Sequence, residues 1–225
     1  MIILSILMTG KSFPQADKYY TARIKMVETQ IVARGISDTK IIESFKKVPR
    51  HLFVPAEYEK DAYGDYPVPI GYGQTISQPF IVAYMTEVVK PDRKKKALEI
   101  GTGSGYQSAI LAGIVDTVYT IEIVKELAGE SATRFKALGY KNIIGKAGDG
   151  YNGWTEHSPF DIIIVTAAAD IIPKPLIDQL AENGRLVIPV GSPDGAQVLK
   201  LLVKKNGKIK TTTLLPVRFV PFKRL

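Results

Sequence analysis

From residue 96 onward, two kinds of apolar stretch alternate along the chain. Short runs rich in β-branched residues are typical of buried strands. Longer stretches with apolar residues three and four positions apart are typical of helices. The predicted strands cover residues 97–100, 117–123, 142–144, 160–168 and 184–190. The predicted helices cover residues 106–114, 125–138 and 175–180. This alternation predicts a parallel β-sheet with helices on both faces.

The last part of the chain breaks this alternation. Residues 197–204 and 209–220 both have strand-like composition, and Asn206-Gly207 between their charged ends is a strong hairpin signal. We therefore expect a mostly parallel sheet of seven strands that ends in an antiparallel hairpin. This α/β arrangement is more typical of the Rossmann-like methyltransferase sheet than of a dinucleotide-binding fold, which continues with further parallel crossovers.

The first part of the chain has a helical pattern. Residues 19–34 and 38–47 have apolar spacings of three and four, with Gly35 after the first and Ser37 or Asp38 as a cap for the second. We expect residues 1–225 to form a single domain, with a helical cap over 18–70 and the cofactor-binding sheet and catalytic core over 71–225.

The opening segment, MIILSILM and the residues up to 17, has too short an apolar run to span a bilayer. It also lacks the basic region and the cleavage site of a secretory signal. We interpret residues 1–17 as a tail or an over-extended start, with a short buried strand as the alternative.

The composition narrows the possible chemistry. The absence of cysteine excludes disulfides, zinc–thiolate sites and a cysteine nucleophile, and it suits a reducing cytoplasm. With only two histidines, no metal site is expected. The formal net charge of +8 is compatible with polyanion binding. However, the densest basic run, residues 90–96, has no interleaved aromatic side chains to stack on bases, so we favour a solvated basic surface.

A glycine-rich turn follows the strand predicted at residues 97–100. Its sequence, Glu99-Ile-Gly101-Thr-Gly103-Ser-Gly105, would let backbone N–H groups approach a ligand closely. The dinucleotide fingerprint requires glycine at position 106, where this chain has tyrosine. Glu99 would repel a pyrophosphate but would attract a sulfonium or an amino group. The turn therefore favours S-adenosylmethionine over NAD.

Two further acids follow neighbouring predicted strands. Glu122, with Ile123 beside it, ends the next strand, where a carboxylate can take both ribose hydroxyls. Asp149, in Gly148-Asp149-Gly150, can accept a hydrogen bond from an adenine amino group. Each acid alone is explained equally well as a solvated charge or a turn residue. Three acids at the carboxyl ends of adjacent strands, however, predict a cofactor site.

A second glycine-containing stretch, GYGQTISQPF at residues 71–80, precedes a helix that begins near Pro79. Its run Thr75-Ile76-Ser77 offers two hydroxyls just before the helix N-terminus. Hydroxyls can hold an ionised carboxylate while leaving it more nucleophilic than a lysine or arginine clamp would. Ser77 could equally be the helix N-cap, and both roles can coexist.

Together these motifs resemble the protein-L-isoaspartate O-methyltransferases, repair enzymes that methylate isoaspartyl residues. The resemblance runs from about residue 25 to 222 and includes VPRHLFVP, GQTISQP, LEIGTGSGYQSAILA, GDGYNGW, FDIIIVTAAA, IPKPLIDQL, GRLVIPVG and VRFVP in the family's order. GQTISQP and the block from FDIIIVTAAA to VIPVG are more specific than the glycine loop. The departures are the N-terminal leader, Asp170-Ile171 where a proline is common in relatives, and a short C-terminus.

The resemblance implies methyl transfer from S-adenosylmethionine to the free α-carboxylate of L-isoaspartyl residues in damaged proteins and peptides. The resulting ester would lead through a succinimide to aspartate. The family's active-site serine corresponds to Ser77. Its last sheet strands are exchanged in order relative to other methyltransferases. The expected cofactor contacts are Gln74, Thr75, Ile76, Ser77, Glu99, Gly101, Gly103, Glu122, Ile123, Asp149 and Gly150.

The expected partners are isoaspartyl-containing proteins and peptides, with no specific nucleic acid and no membrane, for a cytoplasmic and monomeric enzyme. The alternative is a nucleic-acid methyltransferase on the same cofactor fold, which the positive charge favours. Against it, residues 165–169 (VTAAA) lack an aromatic–proline catalytic motif. A non-catalytic binding protein is a further alternative, but the acids and the TIS run are intact.

Overall fold

The computed structural model describes residues 18–192 and 195–224. Its nine described strands, β1 to β9, are Val68–Gly71, Gln74–Ile76, Lys96–Ile100, Thr117–Glu122, Ile143–Ala147, Phe160–Val165, Leu180–Val190, Gln197–Lys205 and Lys208–Val217. The six α-helices within the described residues, α1 to α6, are Tyr20–Met26, Thr39–Lys47, Pro79–Val88, Tyr106–Ala112, Lys125–Ala137 and Lys174–Asp178. Within these ranges, no helix combines the length and the apolar character needed to cross a membrane.

Seven strands form one sheet in the order β5-β4-β3-β6-β7-β8-β9. The five strands from β5 to β7 are parallel to their neighbours, whereas β8 is antiparallel to both β7 and β9. The predicted parallel sheet with a terminal hairpin is therefore confirmed. The consecutive order of β7, β8 and β9 agrees with the exchanged arrangement that the resemblance implied.

Glu99 has a central position in this sheet. In the parallel register, it lies opposite Thr120 of β4 on one side and Ile164 of β6 on the other. The carboxyl ends of these three strands therefore meet at one edge. Ligands of open α/β sheets bind at that edge.

The N-terminal helical prediction was right in type but wrong in continuity. Residues 19–34 are not one α-helix, because α1 passes into a π-helical turn at Val27–Ile31 and a 3-10 turn at Val32–Arg34. Gly35 then ends the segment at a φ of 96°. The second helix, α2, is capped by Asp38, whose side chain accepts the N–H of Lys40 at 2.9 Å.

Three further boundaries differ from the predictions. β6 ends at Val165 and not at residue 168, because Thr166 turns away to contact the end of β3. β7 begins at Leu180, directly after the short α6, and β5 extends to Ala147. No strand was predicted at residues 68–76, where the separate hairpin β1–β2 lies.

The hydrophobic core has three parts. Two clusters lie on the two faces of the large sheet. The third joins apolar side chains of the N-terminal helices, such as Met26 and Phe45, to Tyr106 and Ile110 of α4 and to Phe135 of α5. The cap therefore shares its core with the helices that flank the sheet. The interpretation of residues 1–17 falls outside the described residues, and the proposed division into cap and core stays a prediction.

Helix α5 allows the effect of helix propensity on stability to be measured separately from the effect of packing. Gly129 lies inside this helix, and a β-carbon there would meet no atom within 4 Å. Gly129→Ala should raise the free energy of unfolding by about 0.5–1 kcal/mol, because glycine loses more backbone freedom on folding than alanine does. Equilibrium urea denaturation measures this change.

Gly139, just after α5, is the matched control. Its surroundings are equally open, but its φ is +76°. Gly139→Ala should lower the free energy of unfolding by about 1–2 kcal/mol, because an L-residue is strained in the left-handed region. Changes of the same sign in both variants would contradict this assignment of cause.

Candidate functional site

A cavity opens at the carboxyl edge of β3, β4 and β6. It encloses about 860 Å³ of space between atoms, part of it open to solvent. Its walls include β2 with the turn into α3, the glycine loop after β3, the end of β4 and residues 220–223. The predicted site residues that line it are Gln74, Thr75, Ile76, Ser77, Glu99, Gly101, Gly103, Glu122, Ile123 and Gly150. Of the predicted set, Asp149 is absent from this lining.

The glycine loop is held against the end of β6. Gly101 has a φ of +94°, and a β-carbon there would lie 2.4 Å from the Thr166 hydroxyl oxygen. That hydroxyl is 3.0 Å from the carbonyl oxygen of Ile100 and 2.7 Å from that of Gly101. Only glycine fits this approach without displacing Thr166. Sequence reasoning missed Thr166, although it is the first polar residue after the apolar run FDIIIV.

Glu122 fixes the other side of the loop. One of its carboxylate oxygens accepts the N–H of Gly103 at 2.7 Å, and the other accepts the N–H of Val124 at 3.0 Å. The side chain is buried but lines the cavity. Each carboxylate oxygen can accept a second hydrogen bond. Glu122 can therefore shape the loop and still accept two hydroxyls of a ligand.

Glu99 is fully buried at the end of β3. Its Oε2 accepts hydrogen bonds from the hydroxyls of Ser108 and Thr120, the latter at 2.6 Å, whereas its Oε1 has no partner among the described residues. Burial raises the pKa of Glu99 to about 8; the two hydroxyls oppose this shift and Glu122 adds to it. A buried acceptor without a partner is costly. A cationic donor in the cavity would satisfy Oε1 and favour the ionised form.

The stretch at residues 71–80 forms a tight hairpin and then a helix start. Tyr72 and Gly73, at φ 53° and 69°, make the turn between β1 and β2. The interpretation of Ser77 as helix N-cap is wrong: the N-cap of α3 is Gln78, with Pro79 following and no side-chain capping bond. Ser77 therefore lies one residue before the cap, half-buried on the cavity wall. Its hydroxyl makes no hydrogen bond within the described part of the chain and can be offered to a ligand.

Asp149 lies beside the cavity and already has partners. Its Oδ1 accepts the N–H of Tyr151 at 2.9 Å, which caps the 3-10 turn after β5. Its Oδ2 accepts a hydrogen bond from Arg224 Nε at 2.8 Å. The neighbouring Gly150 does line the cavity, and a β-carbon there would lie 2.3 Å from Ile100 Cγ2. Of the two glycines in Gly148-Asp149-Gly150, Gly150 is therefore the one at which an added side chain would clash more severely.

The C-terminal residues supply a wall that sequence reasoning did not assign to the site. The N–H of Ala168 donates to Val220 O at 2.9 Å, and the N–H of Phe222 donates to Ala168 O at 2.8 Å. This pairing carries the chain end across the cavity mouth, with Lys223 in the lining. β9 ends at Val217, so the predicted strand to residue 220 was too long. The motif VRFVP marked this segment but gave no signal of where it would lie.

Comparison with known proteins gives consistent matches over nearly the whole chain. A family model described as protein-L-isoaspartate(D-aspartate) O-methyltransferase matches residues 22–224. A relative of that name from Opitutus terrae is 50% identical over 224 residues, covering 99% of this chain and 96% of its own. Another from a Picosynechococcus species is 52% identical over 206 residues, covering 92% of each chain.

Solved structures agree. A protein-L-isoaspartate O-methyltransferase superposes with a TM-score of 0.80 at 30% identity, covering 88% of this chain and 65% of its own. A structure described as a proposed member of the same family from Plasmodium falciparum, in complex with S-adenosyl-L-homocysteine, gives a TM-score of 0.78 at 31% identity, covering 90% and 99%. The chain belongs to the protein-L-isoaspartate(D-aspartate) O-methyltransferase family.

Proposed function

We propose that this chain is a repair methyltransferase that moves a methyl group from S-adenosylmethionine to the free α-carboxylate of L-isoaspartyl residues in proteins and peptides. One observation carries the proposal: a single cavity brings the Gln74–Ser77 run together with the glycine loop and its acids. Family membership at 50% identity over 99% of the chain supports the same activity. The methyl ester then leads through a succinimide to aspartate.

The residues of the glycine loop suit this cofactor. Bound S-adenosylmethionine supplies a methyl group on a positively charged sulfur. The unpartnered Oε1 of Glu99 is a ready acceptor for a cationic amino group, and Glu122 can accept ribose hydroxyls with its remaining capacity. Gln74, Thr75 and Ile76 would line the methionine end. The Plasmodium structure contains the corresponding product, S-adenosyl-L-homocysteine.

Asp149 can take the adenine amino group in one of two ways. Its Oδ2 now bonds to Arg224, whose guanidinium also lies 3.6 Å from the centre of the Tyr151 ring. An adenine amino group would share that oxygen with Arg224 or replace it. Asp149 is 12% exposed in its side chain, whereas Arg224 is 48% exposed, so Arg224 is the partner that moves more easily.

On the acceptor side of the cavity, the reaction requires orientation of the attacking carboxylate more than it requires acid–base catalysis. An α-carboxylate has a pKa of about 3.5 and is already ionised at neutral pH. It therefore needs no general base, only an in-line approach to the methyl carbon. The Ser77 hydroxyl can donate one hydrogen bond to one carboxylate oxygen and leave the other to attack.

We also propose that the enzyme acts as a monomer in the cytoplasm and without a specific nucleic-acid partner. The absence of cysteine suits a reducing cytoplasm, and the basic run at residues 90–96 has no interleaved aromatic side chains to stack on bases. The partners are then unrelated proteins that share only the isoaspartyl linkage, which favours recognition through the peptide backbone.

The activity is tested with paired peptides. Transfer of labelled methyl should occur to a peptide containing isoaspartate and not to the same peptide containing aspartate. Equal labelling of both peptides, or labelling of RNA alone, would refute the proposed function. The second outcome would favour the nucleic-acid methyltransferase.

Ser77→Ala tests the residue expected to hold the acceptor. It should lower the methylation rate on the order of 10²-fold, because one donor to the reacting group is lost. Calorimetric titration with S-adenosylhomocysteine should show little change in affinity. Since Ser77 caps no helix, the free energy of unfolding should change by less than about 0.5 kcal/mol. Parallel losses of rate and cofactor affinity would contradict the assigned role.

Glu99 should make the stability of the free protein depend on pH. The pKa of this carboxyl is about 8 in the folded protein against an ordinary value of 4.5. Between these values the folded protein keeps a proton that the unfolded chain has released. The free energy of unfolding should therefore fall as pH rises from about 5 to about 8. Denaturation of wild type and Glu99→Gln across this range should show a shallower slope in the variant.

The same variant should bind the cofactor product more weakly, because an amide offers no charge to a cationic amino group. Glu57→Gln, which removes an exposed carboxylate outside the cavity lining, controls for the loss of one acidic side chain. Identical pH slopes in wild type and Glu99→Gln would show that Glu99 does not carry the titration.

A further inference from the structure

Arg50 is the largest fully buried side chain among the described residues, and the mechanism above does not use it. Its Nε donates to the carbonyl oxygen of Ala62 at 2.6 Å, and its Nη2 donates to that of Ser77 at 2.7 Å. The guanidinium carbon lies 4.7 Å from the centre of the Tyr106 ring. One side chain thus joins the cap, the residue expected to hold the acceptor, and the start of α4.

Two of these contacts lie directly behind the cavity. Ser77 and Tyr106 both line it, on the acceptor segment and just after the glycine loop respectively. Arg50 itself does not line it. The guanidinium therefore fixes the distance between the two cavity walls without reaching the reacting atoms. It holds the carbonyl of Ser77 and leaves the hydroxyl unrestrained.

The charge of Arg50 is not neutralised within the described part of the chain. Its partners are two carbonyl oxygens and a ring, none of them a carboxylate, and its Nη1 is buried without a hydrogen-bond partner among the described residues. Burying a cation in this way is costly. The hydroxyl of Tyr106, beside the guanidinium, is also buried and makes no hydrogen bond of normal geometry among the described residues. A neutral side chain of similar length would avoid much of this cost. Packing alone therefore does not explain why an arginine occupies this position.

We propose that Arg50 is a positioning residue for methyl transfer: it holds Ser77 at a fixed distance from the cofactor loop, and its unneutralised charge favours an anionic acceptor in the cavity. This inference rests on the proposed function. A charge behind the backbone of Ser77 attracts the acceptor carboxylate through the low-dielectric wall. Because it makes no direct clamp on the attacking oxygen, the carboxylate keeps its nucleophilicity.

Two variants separate the charge from the hydrogen bonds. Arg50→Met removes both, whereas Arg50→Lys keeps the charge but cannot donate to both carbonyl oxygens in the planar fork geometry. In the isoaspartyl-peptide assay, Arg50→Met should raise KM for the peptide about tenfold and lower kcat. Arg50→Lys should recover most of the KM but not the full kcat. Calorimetric titration should show S-adenosylhomocysteine binding within about twofold of wild type in both.

Arg23→Met is the matched control. Arg23 is also a buried cap arginine whose Nε donates to a carbonyl oxygen, that of Lys46 at 2.7 Å, but it lies outside the cavity lining. Its variant should lower the melting temperature and leave the peptide KM unchanged. If Arg50→Met does not fold, Arg50→Lys carries the test, and a kcat equal to wild type would then overturn the inference.

Three other results would overturn it. They are an unchanged peptide KM in Arg50→Met, a parallel loss of S-adenosylhomocysteine affinity, and an equal rise in KM in Arg23→Met. If wild type itself fails to methylate the isoaspartyl peptide, the proposed function is refuted and this inference falls with it. The wild-type reaction therefore shows whether the proposed function has failed or only the role assigned to Arg50.

Discussion

The burial of Glu99 is the constraint on which the arrangement of the site depends. A carboxyl group at the end of a central strand has no access to water, so its surroundings must supply hydrogen bonds. Ser108 on α4 and Thr120 on β4 provide them, and Thr120 in turn lies 2.6 Å from the hydroxyl of Thr102 in the glycine loop. This polar cluster ties β3, β4, α4 and the loop to one another. The loop is thus positioned by a group that still has one oxygen to offer to a ligand.

The two glycine-containing stretches have different tasks because the fold uses their glycines differently. After β3, Gly101 is required by the close approach of Thr166, and the loop becomes a rigid cradle. In the β1–β2 hairpin, Gly71 and Gly73 have positive φ, but a β-carbon at either would meet nothing within 4 Å. Their role is to reverse the chain so that Gln74–Ser77 runs along the cavity wall. In the proposed function, one stretch shapes a surface for the cofactor, and the other delivers side chains to the acceptor.

Local patterns predicted what local physics determines. The parallel strands, the terminal hairpin at Asn206-Gly207 and the carboxyl-edge position of Glu99 and Glu122 follow from periodicity, turn chemistry and sheet topology. The hairpin at residues 68–76 was missed because its strands are only four and three residues long, too short for a periodic signal. Arg224 lies 75 positions from Asp149, and Ala62 and Ser77 lie 12 and 27 positions from Arg50, so no local spacing rule predicts these contacts. The N-cap assignment of Ser77 failed because α3 begins at Pro79, which makes Gln78 the N-cap.

Two buried ionisable groups beside the site, Glu99 and Arg50, have opposite character. Glu99 lies at the end of β3 with an unsatisfied acceptor, and Arg50 lies behind Ser77 with an unsatisfied donor. The reaction joins a cationic methyl donor to an anionic acceptor, so each reactant brings the charge that one of these groups lacks. In a low-dielectric cavity such pairing is far stronger than in water. Because neither group has a counter-charge among the described residues, each wall prefers one reactant, and the methyl group is held between them. Orientation of this kind supplies catalysis without a base.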